Sequence, residues 1–166
     1  MPFTPFHWGP GSWVGLLLCR FLNVGAFLGA CVVVDVEPLL VMVFGFDYPL
    51  HGYLHTYLIG SLVAVLFSIA YFSQRAWINR IRVFFKVAQD SSYPVILISC
   101  LLGVYSHVFL DSFLYTDIRP FFPLTMNPQY GLFSSTFLYS FCAWSFALGG
   151  IVYAVMLVKG RPKTER

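Results

Sequence analysis

Charge is scarce in this 166-residue chain: Asp, Glu, Lys and Arg together make up 10% of it, against about 25% in ordinary soluble domains. Hydrophobic residues make up 58% and aromatic residues 19%. A soluble protein of this size could not bury so much apolar surface, so an integral membrane protein is expected, with the lipid bilayer as its first partner. The charges that exist are clustered rather than spread over a face, which argues against a nucleic-acid partner. Cysteine is sparse too. Cys19, Cys31, Cys100 and Cys142 form no C-x-x-C pair and all lie in apolar segments, so they read as small buried hydrophobes rather than zinc ligands or disulfides. The start, Met1 to Gly11, lacks a basic leader and is rich in Pro and Gly. No cleavable signal peptide is therefore expected, and the first apolar segment should act as the insertion signal. Histidine occurs only four times, and its placement points most directly to function.

The length suits a single membrane-embedded domain over 1–166. Pro2, Pro5, Gly9, Pro10 and Gly11 predict an irregular lead-in over 1–11. The apolar stretch 12–34 is long enough to span a bilayer of ~30 Å as one piece, and in two pieces it would form a short hairpin of half-depth helices; both alternatives stay open. Asp35-Val-Glu37-Pro38 breaks the run, and Asp47-Tyr-Pro49 reads as a turn. Tyr53 to Phe72 is the clearest transmembrane helix. The stretch 74–92 is polar, with Trp77, Ile78, Ile81, Phe84 and Phe85 set against Arg75, Arg80, Arg82 and Lys86, as in an interfacial helix. Tyr93 to Tyr115 is the next span. A Pro-punctuated loop over 116–130 precedes a long last run, 131–158, expected to be tilted or broken near Gly149-Gly150. A basic tail over 159–166 closes the chain. The fold expected is all-α and polytopic, with about four to five transmembrane or re-entrant helices and a metal site between them.

The loop 74–92 and the tail 159–166 carry four Lys/Arg each. The loops around 47–52 and 116–130 hold only Arg119. The positive-inside rule then puts the basic loop and the C-terminus in the cytoplasm and the loops near His51 and Asp117 outside.

Ionisable side chains at membrane depth are costly and mark function. His51 and His55 stand four apart at the mouth of the Tyr53–Phe72 run, a spacing that shares one helix face. His107 and Asp111 repeat it on the next span. At ~1.5 Å per residue from Tyr93, His107 lies ~21 Å and Asp111 ~27 Å up the antiparallel helix, level with His55. Asp35 and His7 reach that level only if 12–34 is a hairpin. Histidine nitrogens and carboxylate oxygens in this number suit a divalent metal, zinc first, as one or two ions. A bound metal would activate water near neutral pH. Candidate ligands are His7, Asp35, His51, His55, His107 and Asp111. Asp35 could equally be a helix cap. Asp35 and Glu37 are the candidate catalytic carboxylates, and Arg119 could clamp an anionic substrate group.

The order His7 … Asp35-x-Glu37 … His51-x3-His55-Thr56 … His107-x3-Asp111, with Thr4-Pro-Phe-His7 at the start and Asp117-Ile-Arg119-Pro120 after the second pair, resembles the YdjM-like membrane-bound, metal-dependent hydrolases of bacteria and archaea. The likeness covers residues 4–125. That family is itself similar to zinc-dependent phospholipase C and P1-type nucleases, all-helical enzymes that cleave phosphoesters. The resemblance implies Asp35, His55, His107 and Asp111 as the ligands of a first metal, His7 near a second that shares Asp111, and a prokaryotic plasma (inner) membrane. The later histidines that hold a further zinc in the phospholipases have no counterpart after His107.

The function expected is a metal-dependent membrane hydrolase. Metal-activated water would attack a phosphoester at the extracytoplasmic face, where a lipid-linked substrate would suit the setting. The alternative is a non-enzymatic protein that binds or transports a divalent metal, and a closed structural metal site is a third reading. Transport would need polar groups along the cytoplasmic halves of the spans, where the sequence has almost none.

Overall fold

The computed structural model describes residues 4–159. Among them the chain forms helices and no strands. After a 3-10 turn at Thr4–His7 come α1 (Trp8–Leu17), α2 (Val24–Val33), α3 (Val36–Phe44), a second 3-10 turn at Tyr53–His55, α4 (Tyr57–Ser73), α5 (Arg75–Phe84), α6 (Tyr93–Ser112) and α7 (Ser135–Lys159). Three helical stretches are long and apolar enough to cross a membrane: Val24–Phe44, Tyr93–Ser112 and Ser135–Lys159. A fourth is added if α4 and α5, bent by 76° at their junction, are counted as one span. The all-α polytopic class holds.

The helices pack in the order α4, α6, α2, α1, α7. Ala26 and Ala30 of α2, Ala64 of α4, and Ile96, Cys100 and Val104 of α6 fill the centre. Small residues let the axes approach. A Cβ at Gly103 would collide with the Phe27 carbonyl and Ala30 of α2, and one at Gly9 with the Cys142 carbonyl of α7. This corrects the irregular lead-in expected for 1–11. Within its described part, Thr4 to Gly11 is helical, because Pro10 falls in the first turn of α1, where no intrahelical N–H is lost. The glycines there serve packing. Residues 1–3 of the lead-in and 160–166 of the tail lie outside the described part.

Residues 12–34 take the hairpin alternative: α1 and α2 run antiparallel, so His7 and Asp35 fall at one end. The hairpin's tip is fixed at the other end by a buried polar network. Asn23 caps α2 by accepting from the Ala26 N–H, as a helix N-terminus requires. The same carbonyl accepts from the Tyr71 hydroxyl at 3.0 Å and the Arg82 guanidinium at 3.1 Å. Arg82 also donates to the Val87 carbonyl and to Gln89, whose amide donates to the Cys19 and Leu22 carbonyls. Arg82 is buried, a correction to the polar outer face expected of it. On α5 the apolar Trp77, Ile81 and Phe84 point outward instead, the arrangement a lipid surface favours.

Two further boundaries differ. Within the 131–158 run the helix begins at Ser135 and continues without a break through Gly149-Gly150, so of the tilt or break expected there the break does not occur. Gly149 packs where a Cβ would meet Ser12 of α1, while Gly150 faces open space. The helix expected from Tyr53 starts at Tyr57, because Thr56 adopts an extended backbone and its hydroxyl caps the Ile59 N–H at 3.1 Å. His55 therefore sits in the 3-10 turn ahead of α4 and His51 in the preceding bend. The shared helix face inferred from their spacing does not exist.

Candidate metal centre

Four residues from three segments meet at the end of the bundle opposite the Arg82 network. They are Asp35, between α2 and α3; His55, ahead of α4; and His107 and Asp111, one turn apart near the end of α6. One ligand atom from each lies within 4.8 Å of all the others, a group able to hold a metal ion. His107 Nε2 is 3.3 Å from Asp35 Oδ1 and 3.2 Å from Asp111 Oδ2, and His55 Nε2 is 3.6 Å from Asp35 Oδ1. Donors bound at ~2.0–2.1 Å to a tetrahedral zinc stand ~3.3 Å apart, so the spacings suit one ion.

Three observations test the fit. First, His55 Nε2 and His107 Nε2 are buried without a hydrogen-bond partner. Close approach without hydrogen-bond geometry is what lone pairs converging on a shared point produce, and buried orphan atoms of this kind call for an ion or water. Second, the outer nitrogens are committed. His107 Nδ1 donates to the Cys31 carbonyl at 2.7 Å and His55 Nδ1 to Glu37 Oε2 at 3.0 Å. These bonds fix both tautomers with Nε2 bare toward the centre, the usual support for a metal-binding imidazole. Third, charge balances: two carboxylates and two neutral imidazoles around a divalent cation sum to zero, which suits a buried setting. Asp35 makes no capping hydrogen bond, so the cap alternative does not account for it.

The remaining candidates take distinct places. His7, buried, lies with Nε2 3.1 Å from Asp111 Oδ1 and its ring stacked on His107 at 3.9 Å. Asp111 thus turns one oxygen to His107 and the other to His7. Glu37 stands behind His55 rather than among the converging atoms. It also accepts from the backbone N–H groups of Gly52 at 2.9 Å and Leu54 at 3.3 Å. Burial alone would lower the His55 pKa, but the Asp35 and Glu37 carboxylates beside it outweigh that and raise it above the ordinary histidine value. His51 is outside the group of four. Its ring meets His55 edge-on at 4.9 Å and lies 4.0 Å from Tyr115, while Nδ1 and the backbone N–H contact Asp117 at 3.1 Å. Burial, then the neighbouring His55, lowers the His51 pKa against the opposing pull of Asp117. Arg119, exposed, lines a cavity of about 240 Å³ of mixed character, with His51, Thr56 and Asp117 on one hand and Tyr53 and Phe122 on the other.

Residue patterns do not point to the Cys31 carbonyl, which no side-chain spacing can reveal, or to Tyr115. Nor do they give Asp117 its place beside His51. No known family, curated protein or solved structure matches the chain.

Proposed function

We propose that this protein is a metal-dependent membrane hydrolase that cleaves a phosphoester at the extracytoplasmic face, the activity implied by its YdjM-like resemblance. The convergence of Asp35, His55, His107 and Asp111 within 4.8 Å carries the reading. A divalent cation held there, zinc by its mixed nitrogen and oxygen donors, supplies Lewis acidity and makes hydroxide available near neutral pH. Asp35, His55, His107 and Asp111 hold it. Glu37 orients His55, and the Cys31 carbonyl orients His107. His7, 3.1 Å from the second oxygen of Asp111, would join Asp111 in holding a second ion. Arg119, in the cavity beside His51, pairs with the negative charge of a phosphoryl group.

Hydrolysis is favoured over transport because the core beneath the cluster is packed with apolar side chains. Ala30, Val104, Ala26, Cys100 and Ala64 are buried together there. Purified protein should contain about one equivalent of metal or more, lost in His107→Ala and Asp111→Ala. A screen of phosphodiesters and phospholipids should give turnover that a chelator abolishes. Unchanged metal content in both variants would end the metal reading, and metal without turnover on any phosphoester would leave a binding or transport role.

A further inference from the structure

The charges of the molecule are sorted between its two ends. Asp35, Glu37, Asp111 and Asp117 stand at or beside the metal centre. At the other end α5 is bent 76° out of line with α4. Arg75 and Arg80 are exposed on it, and Lys86 is exposed just past its end. The fold adds two cations that are distant in sequence. Gln89 donates to the Cys19 and Leu22 carbonyls, which flank Arg20 and set that exposed residue beside α5. The Tyr153 hydroxyl donates to the Phe85 carbonyl at 2.7 Å, which brings the end of α7 and the exposed Lys159 to the same place. Asp90 is the one acid at this end among the described residues. The side chains of Arg20, Arg80 and Lys86 make no hydrogen bond or ion pair among the described residues.

Apolar groups are exposed among these cations. Trp77, Ile81 and Phe84 face out on α5, as do Phe85 at its end and Phe21 next to Arg20. Arg80 stands three residues after Trp77 and four before Phe84, so the cation shares a helix face with both rings. The inward side of α5 is taken by Ile78, packed on the core, and by the buried Arg82. A face that mixes unpaired cations with aromatic rings is complementary to a bilayer surface of negative charge: the rings enter the interface and the cations meet the headgroups. A neutral bilayer would satisfy the rings and leave the cations without a counter-charge. We infer that this end of the molecule is a docking surface for anionic phospholipid, which it selects over zwitterionic lipid. The selection is independent of what the metal centre does, and it depends on the hairpin, which carries Arg20 to α5.

Full-length protein in a neutral detergent is titrated with dioctanoylphosphatidylglycerol and with dioctanoylphosphatidylcholine, which share their chains and differ in headgroup charge. The rise in melting temperature gives the affinity for each. Phosphatidylglycerol should bind at least ~10-fold more tightly, and the preference should shrink as salt is raised. Glycerol 3-phosphate, the anion without chains, should give no rise at the same concentrations. The triple variant Arg20→Gln, Arg80→Gln, Lys86→Gln should bring phosphatidylglycerol down toward the phosphatidylcholine value, at ~5-fold per charge. Its lipid-free melting temperature should match wild type, since none of the three side chains is bonded. Asp90→Asn should tighten phosphatidylglycerol by ~5-fold, a gain that misfolding does not produce. Arg119→Gln, at the other end, should leave the preference intact. Equal binding of the two lipids by wild type, a triple variant that keeps the full preference, or no gain in Asp90→Asn would overturn the inference. So would a preference lost in Arg119→Gln, or a rise with glycerol 3-phosphate equal to that with phosphatidylglycerol.

Discussion

Glu37→Gln separates a carboxylate that positions a ligand from one that performs chemistry. Glu37 is tied to His55 Nδ1 at 3.0 Å and to two backbone N–H groups, and none of these partners faces the converging ligand atoms. Glutamine keeps the shape and one accepting oxygen but removes the charge that makes His55 Nε2 a strong donor. Outer carboxylates of this kind contribute ~10- to 100-fold to metal affinity, or about 1.4–2.7 kcal/mol. The expected result is therefore a weakened but intact site. Competition against a chromogenic chelator in detergent should show affinity falling by one to two orders of magnitude, as that comparison predicts. Turnover should return near wild type once metal is saturating. Asp111→Ala, measured beside it, should lose metal outright. If Glu37→Gln binds metal as wild type does, the His55–Glu37 bond does not support the site. If it stays inactive at saturating metal, Glu37 takes part in the chemistry and the positioning argument fails.

Three other outcomes are expected from the same geometry. Arg82→Met should lower the melting temperature in detergent by removing hydrogen bonds to Asn23, Tyr71, Val87 and Gln89; at about 0.5–1.5 kcal/mol each the loss is about 2–6 kcal/mol, and an unchanged melting temperature would mean the hairpin tip is not held by this network. Gly103→Val should part α2 from α6 and so widen the gap between Asp35 and His107, seen as reduced metal content in protein that still elutes as a folded species; full metal occupancy would show that the approach is not set there. Metal affinity should fall as pH drops. The raised His55 pKa means that proton competition sets in above the ordinary value of ~6.5. For the metal-free protein the sign is opposite: the proton on His55 contributes stability below the unfolded pKa, and that contribution is lost as pH rises through the raised folded value. Affinity independent of pH between 5 and 9 would argue against histidine ligands.

The long helices are legible in the sequence because apolar length is a strong signal: α6 and α7 fall close to the runs at 93–115 and 131–158. The ends of elements are not. A Pro/Gly-rich start reads as irregular, yet residues 4–11 are helical because packing against α7 demands small residues and tolerates Pro10 in a first turn. The Tyr53–Phe72 run is apolar enough throughout to suggest a helix that includes His55. One threonine, Thr56, sets the true start, and a cap of that kind is easily outweighed by an apolar run. Rules drawn for water assign Arg82 to an exposed face with Arg75 and Arg80, whereas Arg82 alone turns in, to Asn23, Tyr71 and Gln89. The neighbours of the four converging residues, a main-chain carbonyl and a bend that brings Asp117 to His51, leave no trace in residue spacing.

The hairpin is what makes the site geometrically achievable. If 12–34 crossed the membrane once, His7 and Asp35 would lie at opposite ends of a helix of ~35 Å. Folding it back puts both beside His107 and Asp111. The price is a turn whose polar backbone is buried at the far end. Gln89 meets that requirement by taking up the Cys19 and Leu22 carbonyls and the Val24 N–H, and Asn23 by taking up the Ala26 N–H, while Arg82 donates to both side chains, since unpaired backbone groups in a lipid setting cost several kcal/mol each. The two polar clusters, separated by the apolar layer around Ala30, Cys100 and Val104, are therefore linked through the fold. The network at one end sets the turn that delivers His7 and Asp35 to the other. Disruption of Asn23 or Gln89 should accordingly weaken metal binding as well as stability, although neither residue touches the centre.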